Sequence, residues 1–163
     1  MEDPRIILNR IMTPDGTILK SMHRHDYVTY VDKNGLEYMV DGGHDYLRRN
    51  VHSTELSPIM KVKKFLLGLI GKTWKDPLAY TELTVYEDSP FEMIREHFHR
   101  GGRGKDGRQP LTWVPMSKMS DAWLKACITY NAERNIGDSF SNKMYSAELD
   151  YRAQNGIFIE DLD

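Results

Sequence analysis

The stretch Tyr27-Val28-Thr29-Tyr30-Val31-Asp32-Lys33-Asn34-Gly35-Leu36-Glu37-Tyr38-Met39-Val40 decides the fold class. β-Branched and aromatic residues fill positions 27–31, which suits a pleated, half-buried surface. Asp32-Lys33-Asn34-Gly35 is a turn that returns the chain into a partner strand over 36–40. Upstream, residues 5–11 are rich in Ile and Leu, Pro14-Asp15-Gly16 is a second turn, and 17–19 resume a β-prone pattern, so another hairpin is expected. Asp41-Gly42-Gly43 ends the pattern. The first fifty residues therefore read as a small antiparallel meander of three or four strands, marginal alone because so few strands bury little core.

Beyond residue 50 the apolar period changes from two to that of a helix. Ser57-Pro58 stand as N-cap and first helical residue, Ile59, Val62, Phe65, Leu66, Leu69 and Ile70 recur at helical spacing, and Gly71 closes the segment. Its polar face carries Lys61, Lys63 and Lys64. Lys72 and Lys75 follow, and no acidic residue lies between 59 and 75. A basic helix of this kind suits a membrane surface or a phosphate backbone; the plainer expectation is a helix packed on the sheet with its lysines in water.

Residues 78–86 alternate as a further strand. Ser89-Pro90-Phe91-Glu92 then combines an N-cap serine, a proline at the first helical position and a glutamate three residues past the cap. It predicts a helix carrying Phe91, Ile94 and Phe98 that stops at Gly101-Gly102. After a glycine-rich basic loop, 111–114 is extended and Pro115 ends it. Ser120 caps a helix burying Leu124, Cys127 and Ile128, stopped by Gly137. Asp138 or Ser139 opens the last helix, which buries Phe140, Met144 and part of the Tyr145, Leu149, Tyr151 set and closes at Asn155-Gly156. The expected class is α+β, with a small antiparallel N-terminal sheet and a mainly helical C-terminal part. Three stretches are expected: a β-meander over 1–52, the basic helix or linker over 53–77, and a helical module with the glycine-rich loop over 78–163.

Composition narrows the function. The 163 residues carry 22 Lys and Arg against 24 Asp and Glu, a formal net charge of -2, so no global field selects a nucleic-acid or acidic partner. The single Cys127 excludes an intramolecular disulfide and an all-cysteine zinc site, and points to a reducing compartment. Residues 65–70, the longest apolar run, are interrupted by Gly68 and fall far short of the ~20 residues that span a bilayer. Met1-Glu2-Asp3-Pro4-Arg5 lacks the basic start and apolar region of a secretory signal.

Two constellations could carry chemistry. His23, His25 and Asp26 precede the strong strand, and His44 and Asp45 follow its partner, so a hairpin brings the groups together. His23, His25, His44 and Asp45 make a candidate ligand set for zinc or another divalent metal, with Asp26 as base or supporting group in phosphoester hydrolysis. No compact metalloenzyme motif such as H-E-x-x-H accompanies them, and capping or cross-strand hydrogen bonding is the plainer role. The second constellation is the loop around Arg100, Arg103, Lys105 and Arg108, with Trp113 beyond it. Residues 95–108 hold five Lys or Arg against Glu96 and Asp106, a local +3. Glycines let backbone amides approach an anion and arginines grip phosphates bidentately, although the spacing is not that of a P-loop. Cys127 lies on an apolar helix face and reads as core rather than nucleophile.

His23-Arg24-His25-Asp26-Tyr27-Val28 and Asp41-Gly42-Gly43-His44-Asp45-Tyr46-Leu47-Arg48-Arg49 resemble a small domain of uncharacterised tailed-bacteriophage and prophage proteins. In that family the strands usually carry cysteine pairs, as in a zinc ribbon. Here Tyr27, Tyr30, Leu36 and Tyr38 rebuild the hairpin instead. Gly104-Lys105-Asp106-Gly107-Arg108-Gln109-Pro110-Leu111, followed by Met119-Ser120-Asp121, resembles a module of phage accessory proteins. Its companion final helix is matched by Glu148-Leu149-Asp150-Tyr151-Arg152. The resemblance covers about half the chain and implies lineage, not an activity.

The expected function is that of a bacteriophage accessory protein, for host takeover or anti-defence, in the cytoplasm of the infected cell. It would bind a host protein or sequester a phosphorylated small ligand through Arg100, Arg103, Lys105, Arg108 and Trp113, without a cofactor and without turnover. A metal-dependent phosphoester hydrolase using the His/Asp cluster is the first alternative, and nucleic-acid binding through Lys61 to Lys75 with the glycine loop the second. A homodimer would cover the exposed edges of the thin sheet.

Overall fold

The computed structural model describes residues 4–23, 26–41, 47–50, 58–73, 79–104 and 106–161. In chain order the strands are β1 (Ile6–Leu8), β2 (Arg10–Met12), β3 (Ile18–Lys20), β4 (Tyr27–Val31), β5 (Glu37–Asp41) and β6 (Leu47–Asn50). Helix α1 (Pro58–Leu69) and strands β7 (Thr81–Glu82) and β8 (Val85–Tyr86) follow. Helix α2 (Phe91–His97), strands β9 (His99–Gly102) and β10 (Thr112–Pro115), a 3-10 turn at Met116–Lys118, and helices α3 (Asp121–Glu133) and α4 (Phe140–Asn155) complete an α+β fold. The chain forms two compact units, one of residues 8–85 and one in which residues 1–7 join 86–163. The helical unit is therefore interrupted in sequence by the β unit, a partition different from three successive stretches divided near residues 52 and 77. Two pairings account for it. Strand β7 joins β2 with Ile11 opposite Glu82, which carries residues 81–82 back to the first hairpin. In the other unit, the Glu87 amide donates to the Arg5 carbonyl at 2.9 Å and the Arg5 amide to the Glu87 carboxylate at 3.0 Å.

Both expected hairpins form in the β unit. β2 pairs antiparallel with β3 around the Pro14-Asp15-Gly16 turn, where Gly16 takes φ 87°, and β4 pairs antiparallel with β5 from Tyr27 opposite Asp41 to Val31 opposite Glu37. They belong to two three-stranded sheets, ordered β3-β2-β7 and β4-β5-β6, rather than to one meander. The sequence reading did not anticipate β6, whose Arg-Arg centre lacks strand character, because its place depends on main-chain pairing with β5.

Aspartates hold the turns. Asp32 accepts the amides of Asn34 and Leu36, each at 2.9 Å, and the Tyr38 hydroxyl at 3.3 Å. Asp15 accepts from the Thr13 hydroxyl and the Thr17 amide in its own turn. Its other oxygen reaches the second hairpin, taking the Lys33 amide at 3.1 Å and the Tyr30 hydroxyl at 3.2 Å. Short carboxylates bonding nearby amides are what make Asp a turn residue. Here one such carboxylate also bridges two hairpins. Beneath them Ile11, Leu36 and Tyr38 form a buried cluster with Leu19 and Tyr30 against it.

Helix α1 runs over Pro58–Leu69, with the expected cap Ser57 outside the described residues, and ends as expected: Gly71 takes φ 69° and the Lys72 amide returns to the Leu67 carbonyl at 2.9 Å. The expectation that its apolar face packs on the sheet is not met, since no residue of the helix is buried.

In the helical unit Met116, Met119, Leu124, Cys127 and Tyr145 form the apolar core, flanked by Phe91, Phe98, Val114, Trp123, Ile128, Met144 and Leu149. Ser120 caps α3, accepting the Trp123 amide at 3.0 Å, and Ser139 caps α4. Three expectations are corrected. Ser89 does not cap α2; its hydroxyl accepts the Tyr86 amide at 3.0 Å and closes the preceding turn. Helix α2 ends at His97 instead of Gly101-Gly102, because residues 99–102 are taken into the pairing with β10. Helix α3 ends at Glu133, and Asn135 at φ 58° turns the chain away before Gly137 is reached.

Helix α4 buries a polar stripe. Of the expected set Tyr145 is buried, and Met144 and Leu149 are half-buried against the core; Asn142, Glu148 and Arg152, which lie outside that set, are buried as well. The Arg152 guanidinium donates to Glu148 at 2.7 Å, to Asp121 at 2.6 Å, and to the carbonyls of Met116 and Ser117 at 3.0 and 3.3 Å. Arg95 of α2 grips the other side of Glu148 through two nitrogens at 2.7 and 2.9 Å and lies 4.6 Å from the Tyr151 ring centre. Two guanidinium groups and two carboxylates thus balance in charge. Desolvation works to raise the Asp121 carboxyl, but the bond from Arg152 and the Ile159 amide outweigh it and hold the group below its ordinary value.

Two outcomes follow from these contacts. Arg152→Met, which leaves carboxylate and carbonyl groups buried without their donor, is expected to cost about 3–5 kcal/mol in the urea unfolding of the helical unit; a loss below about 1 kcal/mol would show that the network is not structural. Asp15 is held below the usual carboxylate range, first by the Thr13 hydroxyl, against desolvation, with the Lys33 and Thr17 amides adding to it. Because the folded group is the stronger acid, its stabilisation is present above the unfolded value of about 4 and lost as pH falls through and below it. Asp15→Asn is therefore expected to be less stable than the parent at pH 7, with the gap closing on acidification; a gap constant with pH sinks the assignment.

Candidate functional site

Strands β9 and β10 pair with Trp113 opposite Gly101 and Val114 opposite Arg100, and the basic glycine-rich loop joins their ends. The loop is closed by its own backbone. The Gln109 amide donates to the Arg103 carbonyl at 2.9 Å and the Gly107 amide to the Gly104 carbonyl at 3.1 Å. Gly104 takes φ 71°, a backbone conformation that calls for glycine, and the movable end of the exposed Gln109 side chain lies over it.

The structure divides the expected binding residues. Arg103 and Arg108 are exposed on the loop and, among the described residues, neither guanidinium has a hydrogen bond or ion pair. Arg100 is half-buried, and its positive charge acts on both the Tyr145 hydroxyl and the Cys127 thiol, opposing the effect of their burial. Trp113 is half-buried with its ring edge over Gly101, where an added Cβ would come within 3.2 Å. Lys105 lies outside the described residues. Arg100 and Trp113 thus help to pack the hairpin, and two arginines remain presented at its tip. The neighbouring His97 and His99 rings bond the backbone carbonyls of Met93 and His97 at 2.8 and 2.7 Å.

At the metal candidate, His23 Nε2 stands 3.1 Å from Asp26 Oδ1, and the other Asp26 oxygen accepts the amides of Met22 and His23. Asp26 therefore ties down the turn before β4, the capping role that the sequence also allowed. His25, His44 and Asp45 lie outside the described residues. Among the described residues no three His, Cys, Asp or Glu side chains come together.

The densest set of charged contacts is the one around Arg152, which the sequence reading did not single out. The four-residue spacing of Glu148 and Arg152 was visible, yet it is equally that of an exposed helical ion pair. The buried Glu148 and Arg152 side chains bond each other, Arg95, Asp121 and backbone carbonyls, so the network holds structure. Buried Cys127 has its thiol pushed up by desolvation, with Arg100 opposing. That is the opposite of an activated nucleophile.

No protein-family model, curated protein or solved structure matches the chain.

In the native protein Cys127 is expected to resist an aromatic disulfide reagent at pH 8 and to react fully once urea unfolds the helical unit. Rapid stoichiometric reaction under native conditions would contradict its burial.

Proposed function

We propose that the protein acts by binding rather than by turnover, using the loop between β9 and β10 to hold a phosphate-bearing ligand. The observation that carries this reading is the pair Arg103 and Arg108, exposed and free of ion pairs among the described residues, on a loop already closed by two backbone hydrogen bonds. Two guanidinium groups on a pre-shaped loop suit phosphate oxygens, and less ordering has to accompany binding than in an open loop. Gly107, with open space where a Cβ would stand, leaves the backbone free for close approach.

The resemblance of 23–28, 41–49 and 104–111 to tailed-phage proteins supports placing this activity in a phage accessory protein working in the infected cell's cytoplasm, where the ligand is a phosphorylated small molecule or a phosphate-bearing host factor. No helix among the described residues is long and apolar enough to cross a membrane.

Calorimetric titration with cyclic and linear nucleotides, followed by chromatography of the recovered ligand, tests the reading. At least one nucleotide is expected to bind and return unchanged, and Arg103→Ala with Arg108→Ala is expected to weaken it at least tenfold, about the strength of one charge-assisted hydrogen bond. Conversion of the nucleotide to product, or undiminished affinity in the double variant, overturns it.

A further inference from the structure

Helix α1 is placed with its apolar face outward. Ile59, Val62, Phe65, Leu66, Leu69 and Ile70 share one face at helical spacing, and all are more than half exposed, from 54% at Leu66 to 80% at Ile59. The opposite side carries Met60 and Leu67, the helix residues that are half-buried. Lys61 and Lys63 border the two edges of the apolar face, Lys64 lies beyond Lys61, and Lys72 follows the C-terminal turn. Residues 58–73 thus hold four lysines and no acidic residue.

We propose that this face docks on an anionic lipid bilayer surface, with the helix lying in the interfacial plane. Charge complementarity selects this occupant. An anionic headgroup layer offers acyl chains to the six apolar residues and negative charge to the lysines on both flanks, whose long stems let the ammonium groups reach the headgroups. A second copy of the helix would cover the apolar face but bring the bordering lysines against one another. A nucleic-acid backbone would meet the lysines and leave the apolar residues in water. At twelve residues and ~1.5 Å per residue the helix is much shorter than the hydrocarbon core, so it lies on the bilayer and does not span it. The inference does not depend on the Arg103 and Arg108 loop.

Sedimentation of the full chain with vesicles of phosphatidylcholine alone, or mixed with phosphatidylglycerol, is the test. Binding is expected to the mixed vesicles, to be far weaker to the neutral ones, and to fall with added salt. Leu66→Glu is expected to reduce it at least tenfold. Replacing Lys61, Lys63 and Lys64 by Gln is expected to reduce it about fivefold for each lysine removed. Circular dichroism checks that the variants fold, and Ile59→Gln, at the most exposed position, serves as a second apolar variant. The proposal is overturned by no preference for the mixed vesicles, by binding of both apolar variants equal to that of the parent, or by a solution dimer that Leu66→Glu converts to monomer in protein that does not sediment with lipid. Binding to duplex DNA that survives Leu66→Glu, without vesicle binding, assigns the lysines to a phosphate backbone and likewise overturns it.

Discussion

A single guanidinium organises the helical unit. Arg152 reaches a carboxylate on its own helix, another at the start of α3, and two carbonyls of the 3-10 turn. Arg95 brings α2 to the same Glu148, and the Ile159 amide bonds Asp121 at 3.3 Å, drawing in the chain beyond α4. Burying two positive and two negative groups is costly, and their mutual attraction repays the cost only when the remaining donors and acceptors are also satisfied. Four hydrogen bonds from Arg152 and two from Arg95 meet that condition. An apolar core of similar size would pack the same helices, but the fixed geometry of a guanidinium fork also sets their register.

The β unit relies on the same principle at smaller scale. Its buried apolar cluster is small, and the turns are held by carboxylates that bond backbone amides two to four residues away. Asp15 goes further, because its second oxygen takes an amide and a hydroxyl from the other hairpin. Two hairpins that would each be marginal alone are thereby made one structure. Helix α1 contributes no buried residue to either cluster. Its apolar residues, which in most small domains would build the core, are left for a surface outside the chain.

Much of the local structure was legible. The two hairpins, the end of α1, the Ser120 and Ser139 caps and the Gly156 stop all rest on chemistry within a few residues: turn carboxylates, capping hydroxyls and glycines at positive φ. Failures came where a distant partner competed. The capping pattern at Ser89 lost its serine to the Tyr86 amide, and α2 lost its expected last turn to pairing with β10. At the candidate site, the basic loop and its glycines could be read from composition, whereas the division between presented Arg103 and Arg108 and packed Arg100 and Trp113 could not. Strand alternation and the position of Tyr145 decide that division, and the second depends on a helix forty residues away in sequence.

The sequence by itself determined which segments turn, which alternate and which follow a helical period, because those properties come from neighbouring residues and their backbone preferences. Tertiary structure alone decided which faces are covered. The apolar face of α1 is exposed, while the polar stripe of α4, with Glu148 and Arg152, is buried. Hydrophobic periodicity alone would bury the first and leave Glu148 and Arg152 in water. Burial depends on whether a complementary partner is present: Arg152 finds carboxylates and carbonyls at hydrogen-bonding distance, whereas Ile59, Val62, Phe65, Leu66, Leu69 and Ile70 stay more than half exposed.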